Sequence, residues 1–147
     1  MSPRRFLALH LADLPTARLR RGGLLATPLA TWVAVGNRRL LASVDAAAAA
    51  RGLAPGQALA DAQAIAPDLT LHPAAPDADA AALRDLALWA RRYTPLAATD
   101  PPEGLVLDIT GCDHLFGGEA ALLADALARL RRAGLAAQGA VAGAAAT

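Results

Sequence analysis

The side chains with the most chemical potential lie in residues 105–119, where a short apolar run is followed by a glycine-rich turn. Asp108 is the carboxylate in that run. A buried carboxylate needs hydrogen-bond partners, and a neighbouring turn is the simplest source of them, so we predict a structural role for Asp108. Cys112, Asp113 and His114 are zinc-ligand types, but zinc sites draw their ligands from separated positions. A surface turn is therefore predicted for these three residues.

The composition indicates a small folded protein without a strong charge preference. The chain has 147 residues, of which 55% are hydrophobic and 18% are charged, enough for one core or for one core with a small subdomain. Its 14 basic residues are all arginine, and 13 acidic residues reduce the formal net charge to +1. Proteins held to DNA mainly through phosphates carry a clearer basic excess, so we expect weak nucleic-acid binding by this segment.

The compartment is indicated by the cysteine content and by the N-terminal residues. A single cysteine excludes an internal disulfide and is typical of a reducing cytoplasm. Arg4 and Arg5 followed by residues 6–11 imitate the charged and apolar parts of a secretion signal, but His10 and Asp13 interrupt the pattern too early. No run approaches the roughly 18 apolar residues of a membrane span. The sequence predicts a cytoplasmic protein without a membrane partner.

Hydrophobic periodicity and turn residues predict an alternation of strands and helices. The predicted strands are residues 6–14, 31–35, 39–44, 69–72, 96–99, 105–109 and 136–142. The predicted helices are residues 16–21, 46–51, 57–66, a long helix capped by Asp77 or Asp79 and running to about residue 93, and residues 118–134. Pro15 should end the first strand, Gly36 and Asn37 should form a hairpin turn, and Asp45 should cap the second helix.

The spacing of apolar residues also predicts which helix faces are buried. Leu59, Ala62 and Ile65 lie three apart and predict the buried face of their helix. Trp89 continues the apolar stripe of the long helix and is predicted to be a core residue. His72 is predicted to be a loop histidine and not a ligand.

The order of these elements predicts the fold. Removing residues 16–77 leaves strand, helix, strand, strand, helix, strand, which is the split βαβ order of a ferredoxin-like fold. The removed segment has its own hairpin, followed by the two short helices at residues 46–51 and 57–66. The sequence therefore predicts a mixed α/β protein of the α+β type, in which residues 1–15 and 78–147 form a ferredoxin-like unit interrupted by a small subdomain.

Several segments together resemble the Y-family of translesion DNA polymerases. Residues 111–119 read Gly-x-x-x-Leu-Phe-Gly-Gly-Glu, a pattern similar to the ImuB-type branch of that family, and residues 107–110 match the strand that follows the family's acidic pair. Residues 52–57 and 67–69 match its fingers pattern in order and spacing. The resemblance covers nearly the whole chain and implies that the ferredoxin-like unit is the polymerase palm and the interrupting segment is the fingers subdomain.

The same resemblance implies a degenerate metal site. Active members hold two magnesium ions with an Asp on the first strand and an acidic pair before a later strand, since magnesium prefers oxygen ligands. In this chain His10 stands at the first position, and the pair reads Glu103 and Gly104. Asp13, Glu103 and Asp108 remain as a degenerate metal-site region. We expect no catalytic residue, no metal and no cofactor there.

The resemblance also implies that the triphosphate contacts are lost. Active members place a Tyr and an Arg on the helix that follows the fingers strand, where both side chains contact the incoming nucleotide. By spacing, these positions fall within residues 46–49, at Ala46 and Ala49. A methyl group donates no hydrogen bond to a phosphate, so we expect no nucleotide-binding residues.

The function implied by the resemblance is that of a non-catalytic accessory or adaptor protein in DNA repair and damage-induced SOS translesion synthesis. The implied partners are DNA, a replicative-type error-prone polymerase, the sliding clamp and an ImuA-type protein, through C-terminal regions that this chain lacks. Two alternatives remain open. One is an active but divergent translesion DNA polymerase that binds magnesium through Asp13, Glu103 and Asp108, and the other is a truncated, non-functional fragment.

Overall fold

The computed structural model describes residues 3–143, without the side chain of Asp113. Its strands are β1 (Arg5–Leu11), β2 (Leu29–Val35), β3 (Arg38–Val44), β4 (Thr70–Pro73), β5 (Ala97–Asp100), β6 (Gly104–Asp108) and β7 (Ala137–Gly143). Its α-helices are α1 (Leu14–Arg21), α2 (Ala46–Ala50), α3 (Leu59–Ile65), α4 (Pro76–Trp89) and α5 (Glu119–Arg132), and short 3-10 helices cover Ala90–Arg92 and Asp113–Phe116.

The chain divides into two compact units. The first is formed by the chain up to Ala12 and from Asp77 onward, and the second by Asp13–Pro76. The sequence analysis placed the boundaries of the interrupting subdomain after residues 15 and 77, and its assignment as the fingers stays a prediction.

The sheet of the first unit has the strand order β5-β6-β1-β7, with β1 in the interior. All neighbouring strands are antiparallel, and Leu9 of β1 lies opposite Leu105 of β6 on one side and Gly139 of β7 on the other. This order is that of a ferredoxin-like fold. The first strand therefore pairs with β6, although more than ninety residues separate them in sequence.

The core of the first unit follows from alternation along the central strand. Leu7, Leu9 and Leu11 are buried, whereas Ala8 and His10 between them are exposed. Successive side chains of a strand point to opposite faces, so one face of the sheet is apolar and the other is open. Burying each leucine contributes about 1.5–3 kcal/mol to folding before entropic costs. The buried leucines and alanines of the helices complete this core, namely Leu83, Leu86, Leu122, Ala126 and Leu130.

The second unit is built on the β2–β3 hairpin. The two strands are antiparallel around Gly36, whose φ of 61° suits a glycine, and β4 adds to β2 in parallel. The predicted hairpin is thus confirmed. A separate small core is formed by buried residues of the hairpin, of α2 and α3 and of the segments that directly follow these helices, namely Ala30, Leu41, Ala48, Leu53, Ala62 and Ala66.

Several local predictions were wrong. Pro15 does not end a strand but lies in the first turn of α1, where its missing N–H is not needed. Helix α4 begins at Pro76, so Asp77 lies inside its first turn, where a negative charge complements the helix dipole. Ile65 is 51% exposed, because the second unit packs Ala62 and Ala66 instead.

Two further residues differ from their predicted environments. Trp89 is only half-buried, and the guanidinium of Arg92 lies over its ring. His72 lies in β4, inside the predicted strand 69–72, where it pairs with Thr31, so its separate prediction as a loop histidine was wrong. Within residues 3–143 no helix has both the length and the apolar character that crossing a bilayer requires.

Candidate functional site

The positions that resemble the polymerase metal site meet at one end of the first unit's sheet. The strand register places Asp100 opposite Gly104, Gly104 opposite His10, and His10 opposite Gln138. Together with Glu103 in the turn before β6, these residues line an open pocket of about 510 Å³. The pocket belongs entirely to the first unit, and its walls are otherwise formed by alanine, glycine, proline and Leu9.

His10 and Glu103 face each other in this pocket. The Nε2 atom of His10 lies 3.6 Å from Oε2 of Glu103, and the two side chains are 57% and 33% exposed. The turn is held by the backbone, because the carbonyl of Glu103 accepts a hydrogen bond of 2.8 Å from the amide of Leu11. A histidine and a carboxylate side by side attract one another when the histidine is protonated. They do not supply the convergent oxygen ligands that two magnesium ions require.

Gly104 leaves no room for a side chain. A Cβ atom at this position would lie 2.8 Å from the carbonyl oxygen of Asp100 and 3.2 Å from its Cβ. Real Cβ contacts are longer than this, and the first obstructing atom belongs to backbone that cannot rotate away. The close approach of β5 and β6 therefore requires glycine at position 104, where the family resemblance implies an acid.

Asp108 lies at the opposite end of β6, in a structural network. The four residue steps from Gly104 to Asp108 span roughly 13 Å of extended chain. The Oδ1 atom of Asp108 accepts a hydrogen bond of 3.1 Å from the amide of Thr110, and its Oδ2 atom forms an ion pair with Arg4. Hydrogen bonds from the side chain and backbone of Thr110, with a smaller contribution from Arg4, lower the pKa of Asp108 against the opposing effect of burial.

The glycine-rich turn that follows β6 and the start of α5 hold the start of β1 through hydrogen bonds. The amide of Arg5 donates to Oγ1 of Thr110 at 2.9 Å. The guanidinium of Arg5 donates two hydrogen bonds, of 2.7 and 2.9 Å, to the two carboxylate oxygens of Glu119. This bidentate contact gives the last residue of the Gly-x-x-x-Leu-Phe-Gly-Gly-Glu pattern a structural role, and it lowers the pKa of Glu119.

The turn itself has no features of a metal site. Cys112 is half-buried, with its Sγ atom 3.8 Å from the carbonyl of Thr110, and His114 is exposed. Across the described residues, no group of three or more His, Cys, Asp and Glu side chains is arranged to hold a metal ion. The residues at the family's metal positions therefore do not fit a magnesium pair.

The remaining candidate acid, Asp13, belongs to the second unit. It is half-buried and occupies the N-cap position of α1 without a side-chain capping bond. Its carbonyl oxygen accepts hydrogen bonds from Oγ1 of Thr16 and from the amide of Ala17. Its backbone thus starts the first helix of that unit.

The helix that would contact a triphosphate presents only methyl groups. Asp45 is buried and caps α2, accepting 2.7 Å and 2.8 Å hydrogen bonds from the amide of Ala48 and from Oγ1 of Thr27. Arg20 forms an ion pair with the same carboxylate. The predicted cap is confirmed. On the exposed side of this helix lie Ala46 and Ala49, so the surface offers no hydrogen-bond donor from either side chain.

Sequence reasoning missed the basic partners of these carboxylates. In the sequence, Arg4 and Arg5 are similar to the charged part of a secretion signal. In the structure, Arg4 pairs with Asp108 and Arg5 pairs with Glu119, each more than one hundred positions away. Arg20 stands among the basic residues at the end of α1, with nothing nearby to indicate a buried partner. No local sequence signal identifies such pairs, because each joins segments that only the fold brings together.

The fold is that of the Y-family DNA polymerases. Among solved structures, the chain is similar to an insertion ternary complex of Dbh DNA polymerase, with a TM-score of 0.76 and 16% identity over 94% of this chain and 42% of that chain. It is also similar to DinB from Sulfolobus solfataricus, with a TM-score of 0.67, 16% identity and the same coverage of both chains. At this identity the likeness concerns the fold.

Residues 15–146 match the impB/mucB/samB family, and the chain belongs to that family. It is 53% identical to Protein ImuB of Caulobacter vibrioides (strain NA1000 / CB15N) over 91 residues. These aligned residues make up 62% of this chain and 20% of that protein. Protein ImuB of strain ATCC 19089 / CIP 103742 / CB 15 matches equally well. The chain thus spans about a fifth of the length of these curated relatives. The resemblance to the ImuB-type branch of the Y-family is confirmed.

Proposed function

We propose that this chain is the palm and fingers region of a non-catalytic, ImuB-like accessory protein that acts in DNA repair and damage-induced translesion synthesis. The observation that carries the proposal is the geometry at Gly104. An acid at this position would bring its Cβ to 2.8 Å from the Asp100 carbonyl oxygen, so this strand pair excludes the second acid of the family's pair.

Two other features support the same function. His10 replaces the first-strand acid and lies beside Glu103, at 3.6 Å, instead of leaving that carboxylate for a metal. Ala46 and Ala49 replace the triphosphate contacts on the exposed side of α2. Nucleotidyl transfer depends on electrostatic stabilisation of the transferring phosphoryl group. Loss of metal ligands and of donors to the triphosphate together favours an inactive protein.

The alternative of a divergent polymerase is less well supported. It needs Glu103 and Asp108 near a common pair of ions. Glu103 directly precedes β6 and Asp108 is the last residue of that strand, which spans roughly 13 Å. Asp108 is also engaged by Arg4 and Thr110. Using it as a ligand would require breaking both contacts.

The partners are part of the proposal. We infer that the protein acts beside DNA, with a replicative-type error-prone polymerase, the sliding clamp and an ImuA-type protein. The chain spans only about a fifth of its curated relatives, so these contacts are proposed for the whole protein and not for this region. We also propose a cytoplasmic location.

Primer extension tests the absence of catalysis. The whole protein that carries this segment should extend no primer in magnesium or manganese, while Dbh DNA polymerase serves as the active control. The variant Gly104→Glu and the double variant His10→Asp with Gly104→Glu should remain inactive, because the triphosphate contacts are still missing. Extension by the wild-type protein that Glu103→Ala abolishes would establish the divergent polymerase.

A cellular experiment tests the accessory role separately. Deleting the gene should lower damage-induced mutagenesis, and an allele with Glu103→Ala should restore it to the wild-type level. A catalytic protein would lose function with that allele. Normal mutagenesis in the deletion strain would contradict the role in translesion synthesis, whatever the primer-extension result.

A further inference from the structure

The open face of the first unit's sheet carries an apolar surface that the proposed function does not use. Its middle row has one residue from each strand, because Ala98 lies opposite Val106, Val106 opposite Ala8, and Ala8 opposite Ala140. The three alanines are exposed and Val106 is half-buried. Short apolar side chains on paired strands form a flat surface, and we name these four residues the alanine platform.

Two carboxylates lie at one end of the alanine platform, on either side of Gly104. The Oδ2 atom of Asp100 lies 3.4 Å from the point that a Cβ on Gly104 would occupy, so this carboxylate leans over the glycine. On its other side Gly104 pairs with His10, whose Nε2 atom lies 3.6 Å from Oε2 of Glu103. Because Gly104 has no side chain, both carboxylates border an open pocket.

The charge of this pocket is negative. Within residues 3–143 no arginine forms an ion pair with Asp100 or Glu103, and none lines the pocket of about 510 Å³. His10 adds a positive charge only when it is protonated. A phosphate backbone has the same sign of charge as the two carboxylates and is repelled, whereas a cationic ligand is complementary.

The lining of the pocket favours a guanidinium group among the possible cations. Small residues form much of the lining, namely Ala8, Gly104, Gly139 and Ala140. A guanidinium is planar and weakly hydrated, and it forms paired hydrogen bonds with a carboxylate, so it packs on such a surface better than an ammonium group does. A metal ion is not favoured, because the described residues contain no group of three or more ligands that could hold one.

We propose that this pocket and the alanine platform form a docking site for a protein segment that inserts an arginine between Asp100 and Glu103. Ala8 and Ala140 belong both to the pocket and to the platform, so the two surfaces are continuous. A polypeptide covers both, with its arginine in the pocket and a neighbouring apolar side chain on the platform. A small cation would leave the platform exposed. The inference goes beyond the proposed function and does not depend on a role in translesion synthesis.

Peptide titrations followed by NMR test the site. The probe is the peptide Ala-Leu-Arg-Leu-Ala, and its matched control carries citrulline, which has nearly the same shape without the charge. In EDTA, the arginine peptide should shift the amide signals of residues 8–10, 100–104 and 138–140 in a saturable way. The citrulline peptide should bind about five-fold more weakly, as expected for loss of one good ion pair. Equal affinity of the two peptides, or shifts confined to other residues, would overturn the site.

The chain supplies a matched control for the carboxylates. Asp100→Asn and Glu103→Gln should each weaken binding of the arginine peptide by about five-fold, the upper range for a partly exposed ion pair. Asp85 is an exposed acid of the same unit, but it lies on α4, which covers the opposite face of the sheet. Asp85→Asn should therefore leave binding nearly unchanged. Equal weakening by Asp85→Asn and Asp100→Asn would show that the peptide responds only to net charge and would overturn the site.

A second pair of variants tests the platform. Ala140→Gln places a longer side chain where the pocket and the platform meet, so it should weaken binding of the arginine peptide. Ala142→Gln adds the same side chain on the same face of β7, but Ala142 does not line the pocket, so binding should be nearly unchanged. Thermal unfolding checks that each variant is folded. Equal affinity of folded Ala140→Gln and wild-type protein would overturn the proposed position of the peptide.

Two competitors test the other occupants. Arginine amide has the guanidinium without the apolar neighbours, so it should bind more weakly than the peptide. Single-stranded oligodeoxythymidine should not displace the peptide, because the two carboxylates repel phosphates. Binding of arginine amide as tightly as the peptide would overturn the protein docking site in favour of a small cation. Displacement of the peptide by the oligonucleotide would overturn it in favour of a nucleic acid.

Discussion

Gly104 of β6 and Asp100 of β5 lie opposite each other at the end of their hairpin, so close that a Cβ on the glycine would approach the Asp100 carbonyl oxygen to 2.8 Å. Position 104, where the family resemblance implies an acid, is therefore shaped for glycine by backbone atoms and not by a movable side chain. Introducing an acid at this position should disturb the pairing of β5 with β6.

This relationship predicts a stability cost at Gly104. Gly104→Ala should lower the free energy of unfolding by about 1–3 kcal/mol, since the added methyl overpacks a backbone contact. Gly143→Ala is the matched control, because the nearest atom to a Cβ there is Arg5 Nη1 at an ordinary 3.7 Å. Urea unfolding of both variants provides the comparison. Equal stability of the two alanine variants would show that position 104 tolerates a side chain.

The buried carboxylate of Asp45 should contribute far more to the stability of the protein than the exposed carboxylate of Asp68. Asp45→Ala removes the cap of α2 and leaves Arg20 without its partner, and we expect a loss of roughly 2–3 kcal/mol, since Arg20 retains access to water. Asp68→Ala breaks an exposed ion pair with Arg51 and should have little measurable effect. Denaturant midpoints at neutral pH test both. Similar midpoints for the two variants would contradict the assigned role of Asp45.

The depressed pKa of Asp108 predicts a pH-dependent contribution to stability. A carboxyl whose pKa is lower in the folded than in the unfolded state stabilises the protein above its unfolded pKa of about 3.9. That contribution is lost as pH falls through the folded pKa. Asp108→Asn should therefore be less stable than wild type near pH 7, and the difference should shrink below about pH 4. A difference that does not vary with pH in urea titrations would argue against this linkage.

The exposed side of α2 should accept the side chains that active relatives carry. Ala46→Tyr with Ala49→Arg should change the free energy of unfolding by no more than about 0.5 kcal/mol, because both positions are exposed. Ala48→Tyr is the contrasting control, since Ala48 is fully buried and a ring there must overpack the core by at least about 1–3 kcal/mol. Thermal melts of the two variants test the difference. Strong destabilisation by the double variant would mean that Ala46 and Ala49 are packing residues.

Local rules were sufficient where a structure depends on neighbours in sequence. Asp45 could be identified as a cap from its place before a run of alanines, and Gly36 with Asn37 marked the hairpin turn. The spacing of Leu59, Ala62 and Ile65 was a weaker guide. Periodicity identifies residues that share a face, but it does not say which part of that face a neighbouring element covers, and Ile65 remains exposed.

Hydrophobic patterns and turn residues were enough to predict the order of strands and helices and the ferredoxin-like class, and to single out His10, Glu103, Gly104, Ala46 and Ala49. The contacts of these residues could not be predicted in the same way, because they depend on the folded chain. The 3.6 Å pair of His10 with Glu103, the bidentate contact between Arg5 and Glu119, and the obstruction at Gly104 all arise where separate strands or helices meet. The physical reason is that hydrophobic pattern and turn chemistry act over a few residues, whereas these contacts depend on strand register across the whole sheet.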